Sequence, residues 1–266
     1  MKLRTEVDTK QRRVGISKSD KVLMLGSCFA SNIGEMMLSE GYDVCINPFG
    51  TLFNPSSIAS SMKRLAEPRP FEEKECVMMG SGSNLWGSFS HYTRFARPTK
   101  EEFLQNANES LEKASAFYRD CGKIIITFGT AWVFDYVGDE THPMFGKTVS
   151  NCLKRPSKDF CRHMLDVEAI ASIWKGLVPS DKEVIFTVSP IRHMADGAHG
   201  NALSKSTLLL ATEIIVNQCL ERGVNAEYFP SYEILLDELR DYSWYAEDLV
   251  HPSQEAINII KSRFLL

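Results

Sequence analysis

Short apolar runs alternate with amphipathic stretches along the chain. Val22-Leu23-Met24-Leu25 is unbroken apolar sequence that ends at Gly26, the pattern of a parallel strand covered on both faces. Ala30, Ile33 and Met37 follow at spacings of three and four and predict a helix that Gly41 stops. Residues 42–46 read as a second strand closed by Asn47-Pro48-Phe49-Gly50, and a helix is expected over 55–65, with Ser56 or Ser57 near its start. Residues 67–98 break this rhythm with Pro68, Pro70, Gly80, Gly82, Gly87 and Pro98, so they read as an insertion carrying short strands. Leu104, Ala107, Leu111, Ala114 and Tyr118 draw one apolar stripe on a helix over 101–119. Residues 123–128 form the third strand, and a second, irregular insertion is expected over 135–165. Asp166 then caps a helix with Val167, Ile170, Trp174 and Leu177 on its inner face. A fourth strand over 183–188 ends at Ser189-Pro190. A long helix over 202–222 stops at Gly223, a fifth strand covers 226–229, and a last helix covers 252–264. Five strands separated by helices imply right-handed crossovers and a three-layer α/β/α sandwich around a parallel sheet. No linker divides the chain, so residues 1–266 read as a single α/β domain with insertions near 67–98 and 135–165.

Composition narrows the partners. The chain is 44% hydrophobic and 24% charged, which suits a well-cored fold rather than a disordered one. Thirty Lys and Arg against 34 Asp and Glu leave a net charge of −4, without the basic excess of a nucleic-acid binder. The seven cysteines (28, 45, 76, 121, 152, 161, 219) include no C-x-x-C and are odd in number, so they suggest free thiols in a reducing compartment. The first residues are basic and polar (Lys2, Arg4, Lys10, Arg12, Arg13) with no apolar leader behind them, and no run is long enough to span a membrane. A cytoplasmic protein without membrane contact is expected. No strand is followed by G-x-G-x-x-G or a Walker-type loop, which argues against nucleotide cofactors. His142 lies near Asp139 and Glu140, but at no standard metal-ligand spacing, and no cofactor or metal is expected.

Ligands of an open parallel sheet sit beyond the carboxyl ends of the strands. The turns there carry Gly26-Ser27-Cys28, Asn47–Thr51, Gly129-Thr130 and Ser189–His193, and the loop before the last helix adds Asp248-Leu249-Val250-His251. This is the inventory of a Ser-His-Asp acyl hydrolase. Ser27 would stand at the positive end of the first helix dipole as nucleophile. His251 would take its proton, and Asp248 would hold the imidazole tautomer. The Ser27 and Gly50 backbone N–H groups would receive the oxyanion, Gly50 because no side chain blocks the approach. Cys28 is a rival nucleophile, disfavoured because its side chain should turn to the core. His91, Arg192 and His193 are candidate substrate contacts for an anionic or polyhydroxyl group, while His142, His163 and His199 read as surface or locally bonded residues. The run 237–248 reads as a solvated helix and loop that positions the catalytic pair.

Gly26-Ser27-Cys28-Phe29-Ala30 is the signature string of the GSCFA family. The stretches NPFGTLFNP (47–55), TFGTAW (127–132), SPIRH (189–193) and YFPSYEILLDELRDY…AEDLVHPS (228–253) also resemble that family. The family in turn resembles a branch of the SGNH/GDSL hydrolases, which implies a flavodoxin-like sheet, with Ser27, Gly50 and the Asp248/His251 pair matching their conserved blocks. Those enzymes carry an Asn in a G-x-N-D turn after the third strand, whereas this chain reads Gly129-Thr130-Ala131-Trp132. Thr130, Asn47 or Asn54 could stand in as oxyanion donor, and Asn54 is also a candidate substrate contact. The expected function is hydrolysis of an O-acyl, foremost acetyl, ester, with a carbohydrate or other small molecule as the alcohol. The alternatives are an O-acyltransferase using the same triad and a non-catalytic binding protein on a degenerate hydrolase fold.

Overall fold

The computed structural model describes residues 4–80, 83–150 and 154–265; Lys2, Gly82 and Cys152, singled out above, lie outside them. Five strands build the central sheet: β1 (Lys21–Gly26), β2 (Asp43–Ile46), β3 (Lys123–Phe128), β4 (Glu183–Val188) and β5 (Ala226–Phe229). All pair in parallel, in the order β5-β4-β3-β1-β2. The chain therefore reverses its direction of travel between β1 and β3, the crevice in which an open α/β sheet receives ligands.

Alternation along each strand feeds two cores. Leu23, Leu25, Ile124, Ile126, Phe128 and Phe186 face one way, towards α2 (Pro55–Ala66), α3 (Lys100–Asp120), α4 (Val167–Trp174) and α5 (Gly197–Glu221). Val22, Met24, Ile125 and Ile185 face the other, towards α1 (Cys28–Ser39) and α6 (Gln254–Phe264). Three layers result, as the strand and helix pattern predicted.

Caps fix the helix starts. Asn54 accepts from the Ser57 N–H, Thr99 from Glu102, Asp166 from Ala169 and Ser253 from Ala256. The expectation for α5 needs correction, since it begins at Gly197 rather than near residue 202. Asn201, Ser204 and Lys205 sit on its buried face, so polar residues hid the apolar stripe there.

The insertion at 67–98 holds the expected short strands, Cys76–Met78 paired antiparallel with Trp86–Ser88. The second insertion is more regular than expected. Trp132–Tyr136 pairs antiparallel with both Thr148–Val149 and Phe160–Met164. These strands run two to five residues, too short for alternation to declare itself. The run after β5 also differs from a solvated helix. Ile234–Leu239 is a π-helical segment that buries Glu238 against Arg263 and the Val7 N–H. Among the described residues no helix is long and apolar enough to cross a membrane.

Candidate active site

Gly26 closes β1 at φ +141°, and a Cβ there would stand 2.2 Å from the Thr127 carbonyl oxygen. Only glycine makes this turn, which delivers Ser27 to the N-cap of α1. A serine at an N-cap ordinarily accepts a hydrogen bond from the helix's second or third N–H. Ser27 makes no such bond. Its hydroxyl is buried and has no hydrogen-bond partner, although Ser27 borders a cavity of about 400 Å³ beyond the strand ends. A hydroxyl in that state has given up a water or a cap without replacement.

The same cavity is lined by Cys28, Thr51, Tyr92, Gly129, Thr130, Ser189, Arg192, His193 and His251. His251 reaches it on the loop before α6. Asp248 Oδ1 accepts from the Val250 and His251 N–H groups, and its Oδ2 accepts from His251 Nδ1 at 2.6 Å. These bonds hold the Asp248 carboxyl down at about 2, the His251 amide contributing most. With Nδ1–H committed to an ionised carboxylate, Nε2 is the nitrogen left with a lone pair. Leu249 turns the loop at φ +54°, a left-handed conformation unusual for a branched residue.

Arg192 ties this loop to the end of β4. Its N–H donates to Val250 O and its guanidinium to Leu249 O, within 6 Å of the Tyr242 and Tyr245 ring centres. Arg192 lines the cavity and also braces the His251 loop. His193 lines the cavity with Nδ1 turned to Asp196 Oδ2.

Several other expectations are overturned by existing bonds. The Ser27 N–H donates to Thr127 O and the Gly50 N–H to Asn47 O, so neither amide is free for an oxyanion. Gly50 is required instead by its φ of +79° and by Tyr92, whose Cβ would lie 2.5 Å from an added Cβ. Asn47 accepts from the Gly26 N–H and donates to Ser31, which spends its amide on shaping the turn. Asn54 caps α2 and donates to Ser57 Oγ and Val149 O, away from the cavity lining. Thr130 does line the cavity, but its Oγ1 accepts from the Trp132 N–H and meets Ser204 Oγ at 3.2 Å.

His91 is not a substrate contact either. It is buried among Phe49, Phe71, Phe95 and Phe103, shares a 2.7 Å hydrogen bond with Ser88, and burial takes its pKa down to about 3. Cys28 departs from expectation in the other direction. Its side chain is half-buried and the residue lines the cavity instead of entering the core, and burial raises its pKa, which leaves it a thiol. His163 bonds Asp135, and His142 accepts from the Met144 N–H, as local residues do. Among the described residues no three His, Cys, Asp or Glu side chains cluster as a metal site requires.

Comparison with known proteins bears on this geometry. The model of the GSCFA family matches residues 21–264, which takes in every strand of the central sheet, Ser27 and the Asp248/His251 loop. The chain belongs to the GSCFA family. No curated protein matches it. Gly26-Ser27-Cys28-Phe29-Ala30 thus acquires a structural meaning: glycine for the turn, serine for the unpartnered hydroxyl, and Phe29 and Ala30 for the packing of α1 on the sheet.

One buried residue beside the site escaped the sequence reading. Lys205 sits on α5 with Leu208, Thr212 and Ile215 on the same inner face. Its Nζ donates to Gly129 O and Ser189 O, each at 2.7 Å. The available signal was a lysine in register with an apolar helix face, at spacings of three and four.

Proposed function

We propose that the chain is a serine hydrolase of SGNH/GDSL type that cleaves an O-acyl, foremost acetyl, ester through an acyl-enzyme. The observation that carries this reading is the Ser27 hydroxyl. It declines the cap that its position offers and stays unpartnered on a cavity that His251 also lines.

Ser27 Oγ attacks the acyl carbon while its proton passes to His251 Nε2, and the carbonyl π pair moves onto oxygen. That oxyanion is received by the N–H groups of Cys28 and Phe29. These occupy the first two positions of α1, where a helix leaves donors without an internal acceptor and Ser27 supplies none. Collapse breaks the ester C–O bond, and the leaving alkoxide takes the proton from His251. Water then enters, gives a proton to His251 and repeats the attack on the acyl-enzyme, which frees the acid and restores Ser27. Asp248 stays ionised throughout and holds the imidazolium that forms in each half-reaction. His251 stands half-exposed and the Ser27 hydroxyl is unpartnered, so the bond between them forms as substrate fills the cavity. Hydroxyls of Thr51, Tyr92 and Ser189 beside Phe53 and Ile191 suit a small polyhydroxyl alcohol such as a carbohydrate.

The test is labelling by a fluorophosphonate, with the modified residue mapped by mass spectrometry. A phosphonyl group on Ser27, absent from Ser27→Ala, is the expected result. A folded wild type that takes no label overturns the reading in favour of a binding protein. Release of acetylated sugar when acetyl ester and sugar are supplied together would redirect it to acyl transfer.

A further inference from the structure

We infer that Lys205 is the positioning and electrostatic residue of this site: from behind the cavity it holds the ends of β3 and β4 and supplies the positive field that receives the charge developing on the substrate's carbonyl oxygen. The inference rests on the hydrolase reading above. Lys205 is 1% exposed, and its two fixed partners are the neutral carbonyls of Gly129 and Ser189, both of which line the cavity. Among the described residues no carboxylate pairs with it. A neutral donor could satisfy two carbonyls without the cost of burying a charge. A charge kept there without a counter-ion gains most when an anion forms nearby, and formation of the tetrahedral intermediate is the step that makes one.

The site is also short of other donors. The N–H groups of Ser27, Gly50, Gly129 and Thr130 are all spent on backbone carbonyls, and the Thr130 hydroxyl is engaged as well. Two amides of α1 remain, those of Cys28 and Phe29, which also lie beside the Cys28 sulfur, and Lys205 lies close enough to Cys28 for the two side chains to interact electrostatically. The groups that face the ammonium are the Cys28 thiol and, 5.8 Å from Nζ, the Tyr232 ring; His193, Arg192 and His251 share the cavity. Burial brings the Lys205 pKa down to about 7. Its charge is therefore present below neutrality and lost above it.

The experiment measures kcat and KM on an activated acetyl ester from acid to alkaline pH for wild type, Lys205→Met and Lys205→Arg, with thermal melting and fluorophosphonate labelling beside them. In the wild type, kcat is expected to fall on the alkaline side through about pH 7 as the ammonium loses its proton. Lys205→Met should lose about 100-fold in kcat, as loss of one oxyanion-stabilising group does, with KM little changed. Lys205→Arg keeps its charge at every pH, so it should recover part of kcat and move the alkaline fall upward. Cys28→Ala should retain the alkaline fall, and its disappearance there would assign it to the thiol and overturn the inference. A folded Lys205→Met with wild-type kcat overturns it too. If Lys205→Met does not fold, the wild-type profile and Lys205→Arg decide: no alkaline fall, or one that Arg leaves in place, overturns it. A wild type that is not labelled at Ser27 removes the hydrolase reading and this inference together, whereas labelling with unchanged Lys205 variants removes the inference alone.

Discussion

Because the Ser27 hydroxyl has no partner, Ser27→Ala deletes a buried polar atom without orphaning another. Its folding stability should stay within about 1 kcal/mol of wild type or rise, while ester hydrolysis falls to background. Urea unfolding measured beside turnover checks both halves of this expectation. Gly26→Ala should behave in the opposite way. Its Cβ would collide with the Thr127 carbonyl at a φ that alanine resists, so a loss of more than ~2 kcal/mol in the same unfolding assay is expected. Asp248 is already ionised well above pH 2. Asp248→Asn should lower kcat by leaving Nδ1 facing an amide that no longer enforces the tautomer.

At the scale of elements, the His251 loop and the β4 turn act as one piece through Arg192. Arg192→Met removes the guanidinium bond to Leu249 O but leaves the backbone bond to Val250 O. It should reduce kcat several-fold while the melting temperature holds, as steady-state kinetics and a thermal melt would show. The helices were legible wherever their inner faces were apolar, as in α3 with Ala107, Leu111, Ala114 and Tyr118. They were misread where polar groups face inward, as at the start of α5. Strand ends were legible because Gly26, Gly129 and Ser189-Pro190 punctuate them. Donor assignments were not legible, because whether an amide such as Gly50 N–H is free depends on a local turn that no spacing declares.

At the scale of the whole molecule, the parallel sheet followed from alternating apolar runs and helices. The roles of His91 and Lys205 did not, because both depend on what long-range packing places around them. His91 carries a consequence for the entire fold. Its pKa falls from 6.5 to about 3 on folding, so the unfolded chain binds the extra proton between those values. The stability this represents is intact above pH 6.5 and is lost progressively as pH falls towards 3. His91→Phe should flatten the acid side of the stability curve by a few kcal/mol, a change that denaturant melts at pH 7 and pH 4 would reveal. Phe186→Ala, which opens the core between Phe128 and Trp174, should cost ~3–5 kcal/mol at either pH.

The wide separation of Ser27 from Asp248 and His251 along the sequence sets an order of events during biosynthesis. Chains emerge from the ribosome N-terminus first, so β1 and Ser27 leave long before His251 exists. The loop bearing His251 is braced by the turn after β4 and followed by α6, which packs on the same sheet face as α1. A nascent chain stopped between α1 and that loop carries Ser27 but not His251. On the hydrolase reading, such a chain is chemically silent, and esterase activity switches on only when the His251 loop and α6 dock.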